Sequence, residues 1–232
     1  MSLLHATPRR MTHTLRALAW LLRYPDAEMR EALPAVRDAL HDERALTFGR
    51  LAELDVLIDG LRAQTGLRAE AEYVELFDRG RRTALHLFEH VHGDSRDRGQ
   101  AMIDLAQTYE RAGLRLAPGE LPDHLPVVLE FASTQPPAQA REFLRETAHI
   151  VRAIFSALLA RRSAYASVLA AVLDLAGERA ERVELPDEPP LDEAWAEPEA
   201  FGGCSTRGQA RPDQPQPIHV VRPAAPPRAA VR

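Results

Sequence analysis

Residues able to do chemistry crowd into one short stretch of this 232-residue chain, Leu87–Met102, LFEHVHGDSRDRGQAM. With His86 just before it, the stretch brings together Glu89, His90, His92, Asp94, Ser95, Arg96, Asp97 and Arg98, with Gly93 and Gly99 as breaks. The first chemistry to weigh is metal-assisted hydrolysis. His86-Leu-Phe-Glu89-His90 fits the H-x-x-E-H pattern, in which two histidines four apart on a helix hold zinc and the glutamate serves as base. A third ligand would have to come from His92, Asp94 or a downstream acid, and Gly93 leaves the ligand helix very short. Glu89 with Asp94 or Asp97 is a second option, a general acid–base carboxylate pair. Arg96 and Arg98 would keep those acids ionised, which favours ion pairing over proton transfer. Ser95 has no glycine elbow and no triad around it, and reads as a helix cap. The glycines form no phosphate cradle. A last option needs no reaction at all. Charges beside an apolar helix start can edge a groove that binds an amphipathic peptide, apolar anchors giving affinity and charges fixing register. An ion-paired scaffold and a peptide-binding rim are equally consistent with Arg96-Asp97-Arg98.

The elements that must position this stretch read as helices almost throughout. Expected helices run from Thr12 to Arg23, Asp26 to His41, Thr47 to Ala63 and Arg68 to Asp78, the first stopping ahead of Pro25. Another starts at Asp97, with Met102, Leu105, Ala106 and Tyr109 on one face, and ends at Gly113. Asp123 reads as the N-cap of the next helix, with Pro126 tolerated in its first turn. The longest expected helix covers Ala138 to Arg162, with Phe143, Leu144, Val151, Ile154, Phe155, Leu158 and Leu159 turned inward. A final one runs from Tyr165 to Leu175. No segment shows strand alternation. The expected fold is all-α, a single-domain helical bundle over residues 1–176. Ten of the 18 prolines lie beyond Gly177. Residues 177–232, acidic and then Pro/Gly/Arg-containing, therefore read as a mobile tail.

Composition narrows the functions. A net charge of −5 gives no field for nucleic acid. All 29 basic residues are arginine, suited to bidentate pairing with carboxylates. The single cysteine, Cys204, rules out a disulfide framework within the chain or a multi-cysteine metal site and fits a reducing cytoplasm. No apolar run approaches the ~20 residues of a membrane span. Arg9-Arg10 before LRALAWLL suggests a twin-arginine export signal, but Arg16 and Arg23 flank and interrupt the apolar part, so an amphipathic helix is the better reading.

Tyr73 to Phe131 carries several motifs in a fixed order: FDRG, LFEHVHGDSRDRGQAM, Gly113-Leu114, ELPDHLP and LEF. In these residues, and more loosely in EPEAFGGC at Glu197–Cys204, the chain resembles the NarJ family, the assembly chaperones of respiratory nitrate reductase. His86 stands where that family is permissive, and the proline-rich end beyond Cys204 has no clear counterpart. The resemblance implies a helical redox-enzyme maturation chaperone in the cytoplasm, with no catalysis and no cofactor of its own. Its implied client is the apo catalytic (alpha) subunit of nitrate reductase, chiefly that subunit's N-terminal segment, kept competent for molybdenum cofactor insertion. Molybdenum cofactor delivery proteins are further implied partners; nucleic acid and stable membrane insertion are not. Placed on this sequence, the expected client groove has Phe88, Met102 and Tyr109 as apolar surface. His90, His92, Asp94, Arg96, Asp97 and Arg98 order its rim. Asp123, Pro126, Glu130 and Phe131 close its opposite side. The competing expectation remains a zinc hydrolase using His86, Glu89 and His90.

Overall fold

The structure, a computed structural model, describes residues 10–92 and 97–184. These residues are helical, with no strand among them. In chain order the helices are α1 (Thr12–Leu21), α2 (Ala27–Glu31), α3 (Leu33–Glu43), α4 (Phe48–Ala63), α5 (Gly66–Tyr73), α6 (Glu89–His92), α7 (Asp97–Arg111), α8 (Leu125–Thr134), α9 (Pro137–Ala160) and α10 (Ala166–Ala176). None is long and apolar enough to cross a membrane.

Local chemistry explains where the helices stop. The expected Asp26–His41 helix is two helices, because Pro34 lies in the first turn of α3 and cannot continue α2. Asp26 caps α2, its carboxylate accepting the Met29 N–H at 2.8 Å. The chain after α5 widens into a single π turn, Val74–Asp78, which turns Phe77 inward. There its ring meets Tyr73 at 4.8 Å and Tyr165 at 5.1 Å between centroids. Gly80 follows because nothing larger fits: a Cβ there would overlap the Leu76 carbonyl oxygen and the Thr83 hydroxyl. Gly177, at φ 81, ends α10 in the left-handed conformation that glycine adopts freely.

α10 is apolar on every side, and Ala166–Leu173 is entirely buried. A helix without a polar face must sit inside. α9 packs along it and α1 packs along α8, and these are the two most extensive pairings. Leu159, expected to face inward, is 40% exposed; the inward stripe of α9 passes through Ile154, Phe155 and Leu158 instead. Past Gly177 the chain stays on α9. Glu178 accepts from Arg152 at 2.8 Å, and the Val183 N–H donates to the Ser156 hydroxyl at 3.0 Å.

The central position of α10 makes a clear prediction. Leu169 is fully buried, so Leu169→Ala removes apolar contact and leaves a cavity in a wall built from three helices. The expected loss is about 2–5 kcal/mol in urea unfolding, with an unchanged m-value. A loss below ~1 kcal/mol would mean that α10 is not the centre of the core.

Candidate functional site

The signature stretch is held by one buried carboxylate. Residues 85–87 run antiparallel to 123–125 for a single bridge: the Leu125 N–H donates to the Leu85 carbonyl at 2.9 Å, and the Leu87 N–H to the Asp123 carbonyl at 3.0 Å. The Asp123 side chain, fully buried, accepts the Phe88 N–H at 3.1 Å and faces His86 Nδ1 at 3.4 Å. Asp123 therefore does not cap α8, as its place in the sequence suggested. The residue ahead of α8 is His124, and the Asp123 carboxylate is committed to the 86–88 segment. The His86 and His124 rings stack with centroids 4.9 Å apart.

Electrostatics follow from this packing. The hydrogen bond to Asp123 raises the His86 pKa against the opposing effect of burial. Burial pushes the Asp123 carboxyl up, but the hydrogen bonds from His86 and from the Phe88 N–H outweigh it, and its pKa lies below the ordinary value. His124 is pushed down to about 4 by burial and by the charge of His86.

The other histidines and the arginine of the stretch serve as internal ties. His90 Nε2 meets the Ala84 carbonyl at 2.8 Å, and the His92 ring packs edge-on against Phe88 at 5.7 Å. Arg98 on α7 donates to Glu89 on α6 at 3.1 Å. Asp97 is exposed in the first turn of α7. Asp94 and Arg96 lie outside the described residues. The zinc reading loses its geometry here. α6 starts at Glu89, so His86 is not on a helix with His90, and one ring nitrogen of each is already engaged, His86 Nδ1 by Asp123 and His90 Nε2 by the Ala84 carbonyl. No group of three His, Cys, Asp or Glu side chains among the described residues could hold a metal ion.

A concavity lies next to this latch. About 420 Å³ opens between α1, the end of α7, the 114–120 loop and α8. Tyr109, Glu130 and Phe131 line it, as the sequence suggested. Tyr109 is anchored from below, its hydroxyl donating to the Pro122 carbonyl at 2.8 Å and its ring packing on Phe131 at 4.5 Å. Phe88, His90, His92, Met102, Asp97 and Arg98 are not among the lining residues. Asp123 and Pro126 are buried and are not among the lining residues either.

The rest of the lining was not read from the sequence. Arg16 and Trp20 reach in from α1, Leu114, Arg115, Leu116 and Glu120 from the loop, and Val127 and Thr134 from α8. The alternation Leu114-Arg115-Leu116 was a usable signal, since two leucines in a proline-containing loop need something to cover. Trp20, which donates from its ring nitrogen to the Met29 carbonyl at 3.2 Å, gave no sign that it also faced the end of α8.

With this geometry in place, the comparisons with known proteins are decisive. A model of the nitrate reductase delta subunit family matches residues 23–171. This chain belongs to the nitrate reductase delta subunit family. The nitrate reductase molybdenum cofactor assembly chaperone NarJ of Escherichia coli (strain K12) is 41% identical over 187 residues, covering 76% of this chain and 79% of that protein. A relative from Bacillus subtilis (strain 168) carrying the same designation is 33% identical over 173 residues, covering 73% of this chain and 90% of its own length. A solved structure, a candidate redox enzyme maturation protein from Archaeoglobus fulgidus, superposes with a TM-score of 0.51 at 21% identity. The match covers 77% of this chain and all of that one, so the delta subunit family member shares its fold.

Proposed function

We propose that this protein is an assembly chaperone for nitrate reductase: it binds the apo catalytic subunit through that subunit's N-terminal segment and keeps it competent for molybdenum cofactor insertion. The observation carrying this reading is the 41% identity with NarJ across 79% of that chaperone. The chaperone works in the cytoplasm, does no chemistry of its own and meets the molybdenum cofactor delivery proteins through its client. The client segment enters the concavity lined by Tyr109, Phe131, Val127, Leu116 and Trp20, whose mixed rim of Arg16, Arg115, Glu120 and Glu130 suits a peptide with both apolar anchors and charge. Each apolar client side chain buried there contributes roughly 1.5–3 kcal/mol before ordering costs are subtracted. Two or three anchors give roughly 3–9 kcal/mol before those costs, so they alone fall short of the about 8 kcal/mol net of micromolar binding, and the charged rim must supply the rest.

Phe88, His90, His92, Asp97, Arg98 and Met102 belong to this proposal as the support of the site. The Arg98–Glu89 pair ties α7 to α6, and α7 carries Tyr109. Calorimetry with the catalytic subunit's N-terminal peptide separates the two roles. Leu116→Asp and Val127→Asp, each placing a charge on the apolar wall, are expected to weaken binding by about tenfold or more, a cost above ~1.4 kcal/mol. Arg98→Ala and Asp97→Ala are expected to weaken it about two- to fivefold. Full affinity in both wall variants would remove this concavity as the client site. Failure of the unaltered protein to bind would remove the chaperone reading.

A further inference from the structure

A second concavity, of about 590 Å³, opens where α4 and α5 meet the turn between α9 and α10, and it shares no lining residue with the first. Its apolar surface comes from Leu57, Leu61, Leu76 and Tyr165. Val56 stands at its edge, 68% exposed. Gly60, in the same helix, faces open space: a Cβ there would meet nothing within 4 Å. A mid-helix glycine weakens a helix, and here no neighbour among the described residues requires it.

The rim is unbalanced in charge. Its two acids are already matched. Glu72 accepts from Arg68 at 2.9 Å and from Gln64 at 2.9 Å, and Glu75 accepts from Arg79 at 3.1 Å. Its two cations are not. Arg161 donates to the Glu75 backbone carbonyl at 3.3 Å, and neither Arg161 nor Arg162 pairs with a carboxylate among the described residues. Arg162 is held at φ 54, a left-handed conformation unusual for arginine. Beneath the rim, Tyr165 is 8% exposed and its hydroxyl has no hydrogen-bond partner among the described residues. That hydroxyl is closed off from the cavity surface, so the cavity offers an occupant its apolar walls and the two arginines. Its size also fits small-molecule sites, which fall at roughly 300–1,000 Å³ with apolar walls and a few converging polar groups.

We propose that this second concavity binds a small, soluble, amphipathic organic anion, its apolar body resting on Leu57, Leu61 and Leu76 and its single phosphate, sulfonate or carboxylate held by Arg161 and Arg162. Guanidinium groups match such oxyanions geometrically, and two of them side by side favour an anion over a neutral ligand of equal size. The site is independent of the client concavity and does not rest on the chaperone reading.

The test uses the full chain and two probes of nearly the same shape: 8-anilinonaphthalene-1-sulfonate and the uncharged N-phenyl-1-naphthylamine. Amide NMR shifts on adding the sulfonate should centre on Val56, Leu76 and Tyr165, with one-to-one stoichiometry by calorimetry. Arg161→Gln with Arg162→Gln should weaken the sulfonate by about tenfold and the neutral probe by less than about twofold. Gly60→Leu should fold normally, since its side chain enters open space on a helix, and should abolish both probes at this site. Shifts centred on Tyr109 and Phe131, equal losses for both probes, or unchanged binding in Gly60→Leu would each overturn the proposal. Sedimentation of the chain with phosphatidylglycerol vesicles, abolished by the two arginine changes, would also overturn it, because the surface would then read a lipid headgroup.

Discussion

Asp123→Ala should destabilise the protein by about 2–4 kcal/mol, and Asp123→Asn by about half of that. The alanine variant strips the acceptor from the Phe88 N–H and leaves His86 without its partner, while the backbone ties of Leu87 and Leu125 hold a segment that has lost its centre. Asparagine keeps an oxygen for the Phe88 N–H but loses the charge. His86 is about one-third exposed, so water partly replaces what is lost, and the figure stays below that for a fully buried ion pair. Chemical unfolding of both variants near pH 6 checks the prediction. A midpoint for Asp123→Ala equal to that of the unaltered protein would show that the latch holds nothing.

Acid should weaken the fold through His124 before the carboxylates titrate. A histidine whose folded pKa is depressed resists the proton that the unfolded chain accepts. Its contribution is present above pH ~6.5 and is lost as pH falls towards about 4. A shift of that size is worth on the order of 3 kcal/mol. His86 acts in the opposite sense. Its raised pKa gives stability that is fully present below pH ~6.5 and is lost as pH rises through its folded value. Asp123, with its lowered pKa, adds stability above pH ~4 that is lost as pH falls through its own folded value. Stability curves between pH 4 and 8 should therefore flatten below pH ~6.5 in His124→Gln, and in His86→Gln they should lose the fall that His86 causes above pH ~6.5. Parallel curves for all three proteins would contradict this assignment of the two rings.

Sequence periodicity carried most of the fold, because its helices are amphipathic and end at residues with strong local rules. Thr47 caps α4, Pro34 opens α3, and Gly177 closes α10. The errors come from tertiary partners that no local window contains. Asp123 has the spacing of a cap, but its carboxylate has a better-placed donor in Phe88, 35 residues earlier in the chain. His86 and His90 fit a zinc helix by number alone; the backbone bridge to 123–125 keeps His86 out of the helix. Leu159 fits the apolar stripe of α9 by spacing but lies in its last turn, 40% exposed, beside the fully buried Leu158. Part of the lining of the concavity was legible in the large aromatics Tyr109 and Phe131, each on an apolar stripe of its own helix. It was invisible where distant segments converge, as with Trp20 on α1 and Leu116 in the loop.

The proposed seat of the client has its own reporter. Trp20 lines the concavity, and Trp195 is the chain's other tryptophan. In a Trp195→Phe background, titrating in the N-terminal peptide of the apo nitrate reductase catalytic subunit should shift Trp20 emission to the blue. The shift should saturate at one peptide per chain and vanish with Leu116→Asp. Peptide binding by calorimetry with Trp20 emission unmoved would contradict the account.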